Sequence, residues 1–204
     1  MAYLKGNLHV HTSFSDGHLS PVEMARIYRD LGFDFIAITD HEYMAKKAYY
    51  DLFPLEFEGM TIFEGIELEP IYISYHHTLK IKGDTETLYV LCHPDSYRLS
   101  IQDVNKRIQL FDEKGPGTID AVEVTDRGFY TPFYDTPEIE LPKIASDDAH
   151  DETMCGKTWI EVNVDDDKRG DKDSIIRSIK AGDFEIGLIS GRRREKGVAG
   201  FGGK

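Results

Sequence analysis

The tripeptide His9-Val10-His11 carries the clearest chemical signal in this chain of 204 residues. On a strand, residues two apart point to one face, so both imidazoles can reach a single cation. Asp16-Gly17 follows in a turn, close enough to fold a carboxylate toward the same place. Taken alone, a His-x-His pair is also what two half-exposed strand histidines look like. Five further groups shift the balance. Asp40-His41, Glu67, His93-Pro94, Glu123 and Asp147-Asp148-Ala149-His150 all stand at or just beyond the ends of strand-like apolar runs. Asp148 and His150 repeat the spacing of two, as ligands on one face would. Histidine and aspartate are costly to bury without partners, so packing gives no reason for such clustering. The chemistry that fits is hydrolysis assisted by divalent cations, which lower the pKa of water, hold anionic oxygens and offset charge on a leaving oxygen. A mixed imidazole and carboxylate shell suits Zn²⁺, Mn²⁺ or Fe better than Ca²⁺ or Mg²⁺. Cys92 lies in a strongly apolar run and reads as a core residue under His93, not as a thiolate ligand.

Such ligands need strands that end in one place. Residues 8–10 read as a short first strand. Ser20-Pro21-Val22-Glu23 then opens a helix, with Ser at the N-cap, Pro at the first position and Glu completing a capping box. Val22, Ala25, Tyr28 and Leu31 follow at helical spacing, and Gly32 supplies the stop. Residues 33–39 form a buried strand of parallel type that runs into Asp40-His41. Further strands are expected over 61–68, 79–82, 87–92, 119–124, 141–145, 158–164 and 184–188, with helices over 101–113 and 172–181. Strands at this density with helices between them favour an α/β barrel or a related layered sheet. Residues 70–82, with Tyr72, Tyr75, His76 and His77, read as an antiparallel excursion.

The formal charge of −13 and a pI near 5.0 repel a phosphate backbone and argue against broad nucleic-acid binding. They also suit a protein rich in carboxylate ligands. No apolar run approaches the roughly 20 residues of a membrane span, and the N-terminus lacks the apolar stretch of a signal peptide. Two cysteines give no disulfide framework, so a reduced, cytoplasmic setting without a membrane partner is expected. The length fits one domain over residues 1–190, followed by a basic, Gly-rich tail over 191–204. Arg192, Arg193 and Arg194 in that tail read first as solvated charge and second as a phosphate clamp.

Leu8-His9-Val10-His11-Thr12, then Ser15-Asp16-Gly17, then Ile38-Thr39-Asp40-His41 resemble the opening of the PHP phosphoesterases, named for their polymerase and histidinol phosphatase members. Gly65-Ile66-Glu67, Cys92-His93-Pro94 and Ser146-Asp147-Asp148-Ala149-His150 resemble the later motifs of that family in order, over about residues 4–164. The resemblance implies a distorted (β/α)7 barrel in a single compact domain, with two or three divalent ions at the strands' C-terminal ends. It implies that His9, His11 and Asp148 hold one ion. Glu67 would bridge it to a second, completed by His93 and by His77, which precedes a Leu79-Lys80-Ile81-Lys82-Gly83 similar to the family pattern. Asp16, His41 and His150 would hold a third. Two positions depart from the pattern. Ala145-Ser146-Asp147-Asp148 stands where many members carry Gly-Ser-Asp, leaving two candidate carboxylates side by side. Glu123, followed by Val124-Thr125-Asp126, is expected either as a ligand or as a partner behind one.

His41 and His150 are candidate general acids where they are not fully committed to metal. Arg127 is the candidate fork for a substrate phosphate, and it reads equally as a surface charge. The aromatics Phe129, Tyr130, Phe133 and Tyr134 form either a flap over a substrate or one that packs inward. The expected activity is hydrolysis of a small phosphate monoester, such as a nucleotide or a phosphorylated amino-alcohol. Trimming of short oligonucleotides by an exonuclease is the alternative within enzymes. A non-catalytic, metal-holding interaction module is the alternative outside them. No motif specifies an oligomeric state.

Overall fold

Each apolar run of the sequence becomes a strand of one curled sheet, described here for residues 1–189 from a computed structural model. The tail over 191–204, with its three arginines, lies outside the described residues. In chain order the elements are β1 (Ala2–Val10), α1 (Pro21–Asp30), β2 (Phe35–Ile38), α2 (Lys47–Tyr50), β3 (Thr61–Leu68), β4 (Thr78–Lys82) and β5 (Thr87–Leu91). They continue with α3 (Ile101–Lys114), β6 (Ala121–Glu123), β7 (Thr125–Asp126), β8 (Phe129–Tyr130), β9 (Lys143–Ile144), β10 (Thr158–Val164), α4 (Lys172–Ala181) and β11 (Phe184–Leu188).

The strand order is β11-β10-β1-β2-β3-β4-β5-β6-β9, with β7 and β8 forming a separate small hairpin. The segment after β9 returns to β1, where Val10 and Ala149 form a parallel bridge. The His11 N–H donates to the Ala149 carbonyl at 2.9 Å, and the Ala149 N–H donates to the His9 carbonyl at 3.3 Å. Strands β1 to β6 with β9 therefore make the expected distorted barrel of seven. β10 and β11 extend it antiparallel from the first half of β1. The excursion read over 70–82 is present, because β4 runs antiparallel to both β3 and β5.

The barrel interior is apolar below and polar above. Leu8, Phe35, Phe63, Leu79, Val90 and Ile144 belong to one buried cluster with Ile175, Ile176 and Ile179 of α4, which seals the lower end. Asp173 of α4 fixes that seal by accepting N–H bonds from Asp84, Thr85 and Glu86 in the β4–β5 turn. A second cluster lies between the sheet and helices α1 and α3. Helix α1 starts as expected, with Ser20 and Glu23 capping each other, an arrangement worth about 1 kcal/mol. Its buried row, however, is Pro21, Met24, Ala25 and Tyr28, while Val22 and Leu31 face solvent. The i, i+3, i+4, i+7 row from Pro21 is more continuously apolar at its centre than the stripe read from Val22.

The upper end of β1 owes its chemistry to a bulge. Leu4 and Leu8 point into the barrel, whereas Val10 packs in the outer cluster. The register of β1 against β2 shifts between Asn7 and Val10, so the adjacent Leu8 and His9 both face inward.

Asp147 anchors the segment that closes the barrel. It accepts backbone N–H bonds from Gly156 at 2.6 Å, Lys157 at 2.9 Å and Thr158 at 2.7 Å, and the Tyr28 hydroxyl at 2.8 Å. Replacing it by alanine strands three donors at a buried site. Asp147→Ala is expected to lower the unfolding free energy by about 3 kcal/mol or more in urea denaturation. A loss below about 1 kcal/mol would show that the anchor is dispensable.

Candidate metal centre

Glu67, at the end of β3 and 1% exposed, is the point on which the upper barrel converges. Its Oε1 lies 2.8 Å from His77 Nδ1, 3.2 Å from His9 Nε2 and 3.4 Å from His93 Nε2. Its Oε2 lies 3.0 Å from His41 Nδ1 and 3.4 Å from His11 Nε2. Asp148 Oδ1 stands 3.3 Å from His11 Nε2 and 3.5 Å from His9 Nε2. Asp16 joins at the open side, with Oδ1 3.4 Å from His11 Nδ1 and Oδ2 3.3 Å from His150 Nε2 and 3.6 Å from His41 Nε2. His9 with His11 and Asp148, His41 with Glu67 and His77, and His11 with Asp16, His41 and His150 each bring donor atoms within 4.8 Å of one another.

These residues fit divalent cations. The Nε2 atoms of His9 and His11 face each other at 3.1 Å. Two imidazoles on one tetrahedral ion at 2.0–2.1 Å would stand roughly 3.3 Å apart. Both oxygens of Glu67 and the Nδ1 atoms of His41 and His93 are buried without an aligned hydrogen-bond partner. A buried carboxylate in that condition needs positive charge beside it.

The electrostatics point the same way. Burial works against a charged His11, yet Asp148 and Asp16 outweigh it and lift the imidazole to about 9. Burial likewise opposes charge on His9 and His93, and neighbouring carboxylates raise both nonetheless. For Glu67 and Asp148 burial favours the neutral acid, but His9 and its neighbours hold both well below the usual range.

The ligand rings are gripped from behind. Glu123 Oε1 lies 2.9 Å from His9 Nδ1 and takes the Ser146 hydroxyl, and its Oε2 accepts the His93 N–H at 2.9 Å. Both of its oxygens are thus engaged on the far side of His9, although His9, Cys92, His93 and Glu123 also bring donor atoms within 4.8 Å of one another. His150 Nδ1–H donates to the Asp148 carbonyl at 3.0 Å, leaving Nε2 facing Asp16. Asp40 looks away from the centre, accepting the Thr12 N–H at 2.8 Å, the Thr12 hydroxyl at 2.7 Å and the Ser15 hydroxyl at 2.5 Å. It thereby holds the loop that presents Asp16. Gly17 completes that loop, since a Cβ there would sit 2.5 Å from the His11 carbonyl oxygen.

The two ambiguous pairs separate cleanly. His76 is turned away, donating Nε2–H to the Cys92 carbonyl at 2.6 Å and accepting from Arg107 at 2.7 Å, so His77 alone of the pair faces Glu67. Asp147 is the anchor already described, and Asp148 turns inward with φ 49°. His93 (φ 22°) and Arg127 (φ 49°) also hold positive φ, a conformation costing about 1 kcal/mol or more and frequent at functional sites.

A cleft of about 210 Å³ opens over the centre and is bordered by Arg127, Ser96 and Tyr97 as well as the ligands. A larger hollow of about 360 Å³ lies on the outer face of β3 and β4, between Tyr50, Tyr72 and Pro116, and contains none of the histidines. Glu67, Asp148, His41, His77, His93 and His150 all line the smaller one. In the aromatic loop Tyr134 packs inward, fully buried and donating to the Pro94 and Leu99 carbonyls at 3.2 and 3.0 Å, whereas Phe133 is exposed. None of its four aromatics borders the cleft. Sequence reasoning missed Glu69, whose Oε1 lies 3.2 Å from His77 Nε2. Its place two residues after Glu67 was the available signal.

Cations and protons compete for these donors, which fixes a pH dependence. The folded value of His11, about 9, exceeds its ordinary 6.5, so its contribution to ion-free stability is full below pH 6.5 and fades as pH rises through 9. Ion-free protein is expected to melt progressively lower from pH 6.5 to 9, and Mn²⁺ binding at pH 7 to release protons. Calorimetry in buffers of different ionisation heat reads that release. Identical heats in all buffers would contradict the assignment.

A model of the PHP domain matches residues 7–158, a span that contains every histidine and carboxylate of the centre. The DNA polymerase/3'-5' exonuclease PolX of Bacillus subtilis (strain 168) is 33% identical over 82 residues, covering 34% of this chain and 14% of that protein. The chain thus matches only a small part of that relative's length. Among solved structures, a two-domain protein containing a predicted PHP-like metal-dependent phosphoesterase from Bacteroides vulgatus ATCC 8482 superposes with a TM-score of 0.69. Identity is 19%, over 91% of this chain and 65% of that one. PsfC from Pseudomonas syringae PB-5123 gives 0.68 at 14% identity, over 93% of each chain. At such identities the structures establish a shared fold, and the sequence model supplies the kinship: the chain belongs to the PHP domain family.

Proposed function

We propose that this protein is a metal-dependent phosphoesterase that hydrolyses small phosphate monoesters. The observation that carries the reading is the Glu67 carboxylate, buried and met on its two oxygens by five imidazoles. In this reading His9, His11 and Asp148 hold one ion, Glu67 bridges it to a second held by His77 and His93, and Asp16, His41 and His150 hold a third. Zn²⁺, Mn²⁺ or Fe²⁺ bound there would supply an activated water, a grip on phosphate oxygens and compensation for leaving-group charge. His41 and His150 turn their free nitrogens to Glu67 and Asp16, so they act as ligands before they act as acids. Arg127, at the cleft's border, is the candidate fork for the phosphate. Cleft size favours a small ester, since pockets for larger ligands usually span about 300–1,000 Å³.

A second reading has one specific support, the stretch shared with PolX, named as a 3'-5' exonuclease. Under it the substrate is the end of a short oligonucleotide. An aryl phosphate monoester and the matching diester, assayed with each added metal and with chelator, separate the readings. Chelator-sensitive turnover with the monoester preferred is expected. His9→Ala or Asp148→Ala should abolish it while the fold persists, and Arg127→Ala should raise KM about 10-fold or more with less effect on kcat. Preference for the diester would favour the exonuclease. Folded, ion-loaded protein that cleaves neither ester would leave a metal-holding interaction module.

A further inference from the structure

Glu69 follows Glu67 by two residues and stands just past the end of β3. Between them stands the ring of His77. Its Nδ1 lies 2.8 Å from Glu67 Oε1, and its Nε2 lies 3.2 Å from Glu69 Oε1. The backbone of His77 is already fixed, since its N–H donates to the Tyr97 hydroxyl at 3.1 Å and its carbonyl accepts the Cys92 N–H at 3.1 Å. What the backbone leaves free is rotation of the ring, which packs edge-on against Tyr97, His41 and His93 and whose Nε2 side meets the Glu69 carboxylate. A neutral imidazole has one lone pair and one N–H. With Nδ1 aimed at the carboxylate proposed to bridge two ions, the N–H falls on Nε2, 3.2 Å from Glu69 Oε1.

We infer that Glu69 is the positioning residue of the second ion: it fixes the tautomer and orientation of His77 without itself being a ligand. The inference rests on the proposed function above, since it presumes that His77 and Glu67 share an ion. A carboxylate behind a ligating imidazole raises its basicity and holds its angle, and removing such a partner typically weakens metal affinity about 10- to 100-fold. Glu69 also lies 3.7 Å from His41 Nδ1 and borders the outer hollow.

The test compares full-length wild type, Glu69→Gln and Glu69→Ala by chelator-competition titration with Mn²⁺ and Zn²⁺, by ion count at saturation, and by melting of the ion-free proteins. Expected is a graded loss for one class of ion, about 10-fold or more for Glu69→Ala and less for Glu69→Gln, whose amide oxygen still accepts the N–H. The ion count at saturation and the ion-free melting temperature should match wild type, a pattern that a purely structural role would not give. Equal affinity in all three proteins would overturn the inference. So would the loss of one whole ion from Glu69→Ala, which would make Glu69 a ligand. Wild type that binds neither metal would instead overturn the metal centre itself.

Discussion

An ionised carboxylate removed from water costs several kcal/mol unless positive charge and hydrogen bonds replace its hydration. Glu67 is in that position, and most of the upper barrel can be understood as the means of meeting its demand. β1 delivers His9 and His11, the turn after β2 delivers His41, the entry to β4 delivers His77 and the exit of β5 delivers His93. Neutral imidazoles do not neutralise a carboxylate. They direct lone pairs toward cations that do, and in the absence of cations they take up protons, which is why His9, His11 and His93 are all drawn toward the charged form. The apolar plug beneath, from Leu8, Phe63 and Val90, keeps this charge-rich layer at one end of the barrel.

Order in the layer comes from groups packed behind the rings and carboxylates that meet at Glu67. Glu123 holds the back of His9 and the backbone of His93. Asp40 holds the loop of Asp16, and Asp147 holds the segment that carries Asp148 and His150. Tyr97 lies nearly parallel to His93 at 6.0 Å and stacks on His76 at 4.2 Å, with Arg107 behind. Preorganisation of this kind lets a site favour one metal geometry without rearranging when ions or substrate arrive.

Much of this was legible in the residues. Strands 61–68, 158–164 and 184–188 coincide with their apolar runs because polar breaks flank them on both sides. The cluster around Glu67 stood out because histidines and carboxylates recurred at strand ends, where packing gives them no reason to be. What could not be read depends on partners far along the chain. β1 begins at Ala2, although Lys5-Gly6-Asn7 interrupts its apolar run, because β10 pairs with it from more than 150 residues away. The β1 bulge, which turns both Leu8 and His9 inward, defeats any argument from strict alternation. The choices of His77 over His76 and Asp148 over Asp147 were set by Arg107, the Cys92 carbonyl and the N–H groups of Gly156 to Thr158. Spacing alone carries none of those contacts.

Cations at Glu67 are what the metal centre requires above all. The most direct measurement is anomalous diffraction from crystals of the full chain soaked with Mn²⁺ or Zn²⁺, with maps on each side of the metal edge. Peaks are expected within about 2.0–2.2 Å of both Glu67 oxygens, one shared with His77 and His93 and the other with His9, His11 and Asp148. Peaks confined to surface carboxylates, with Glu67 paired only to protonated imidazoles, would contradict that expectation.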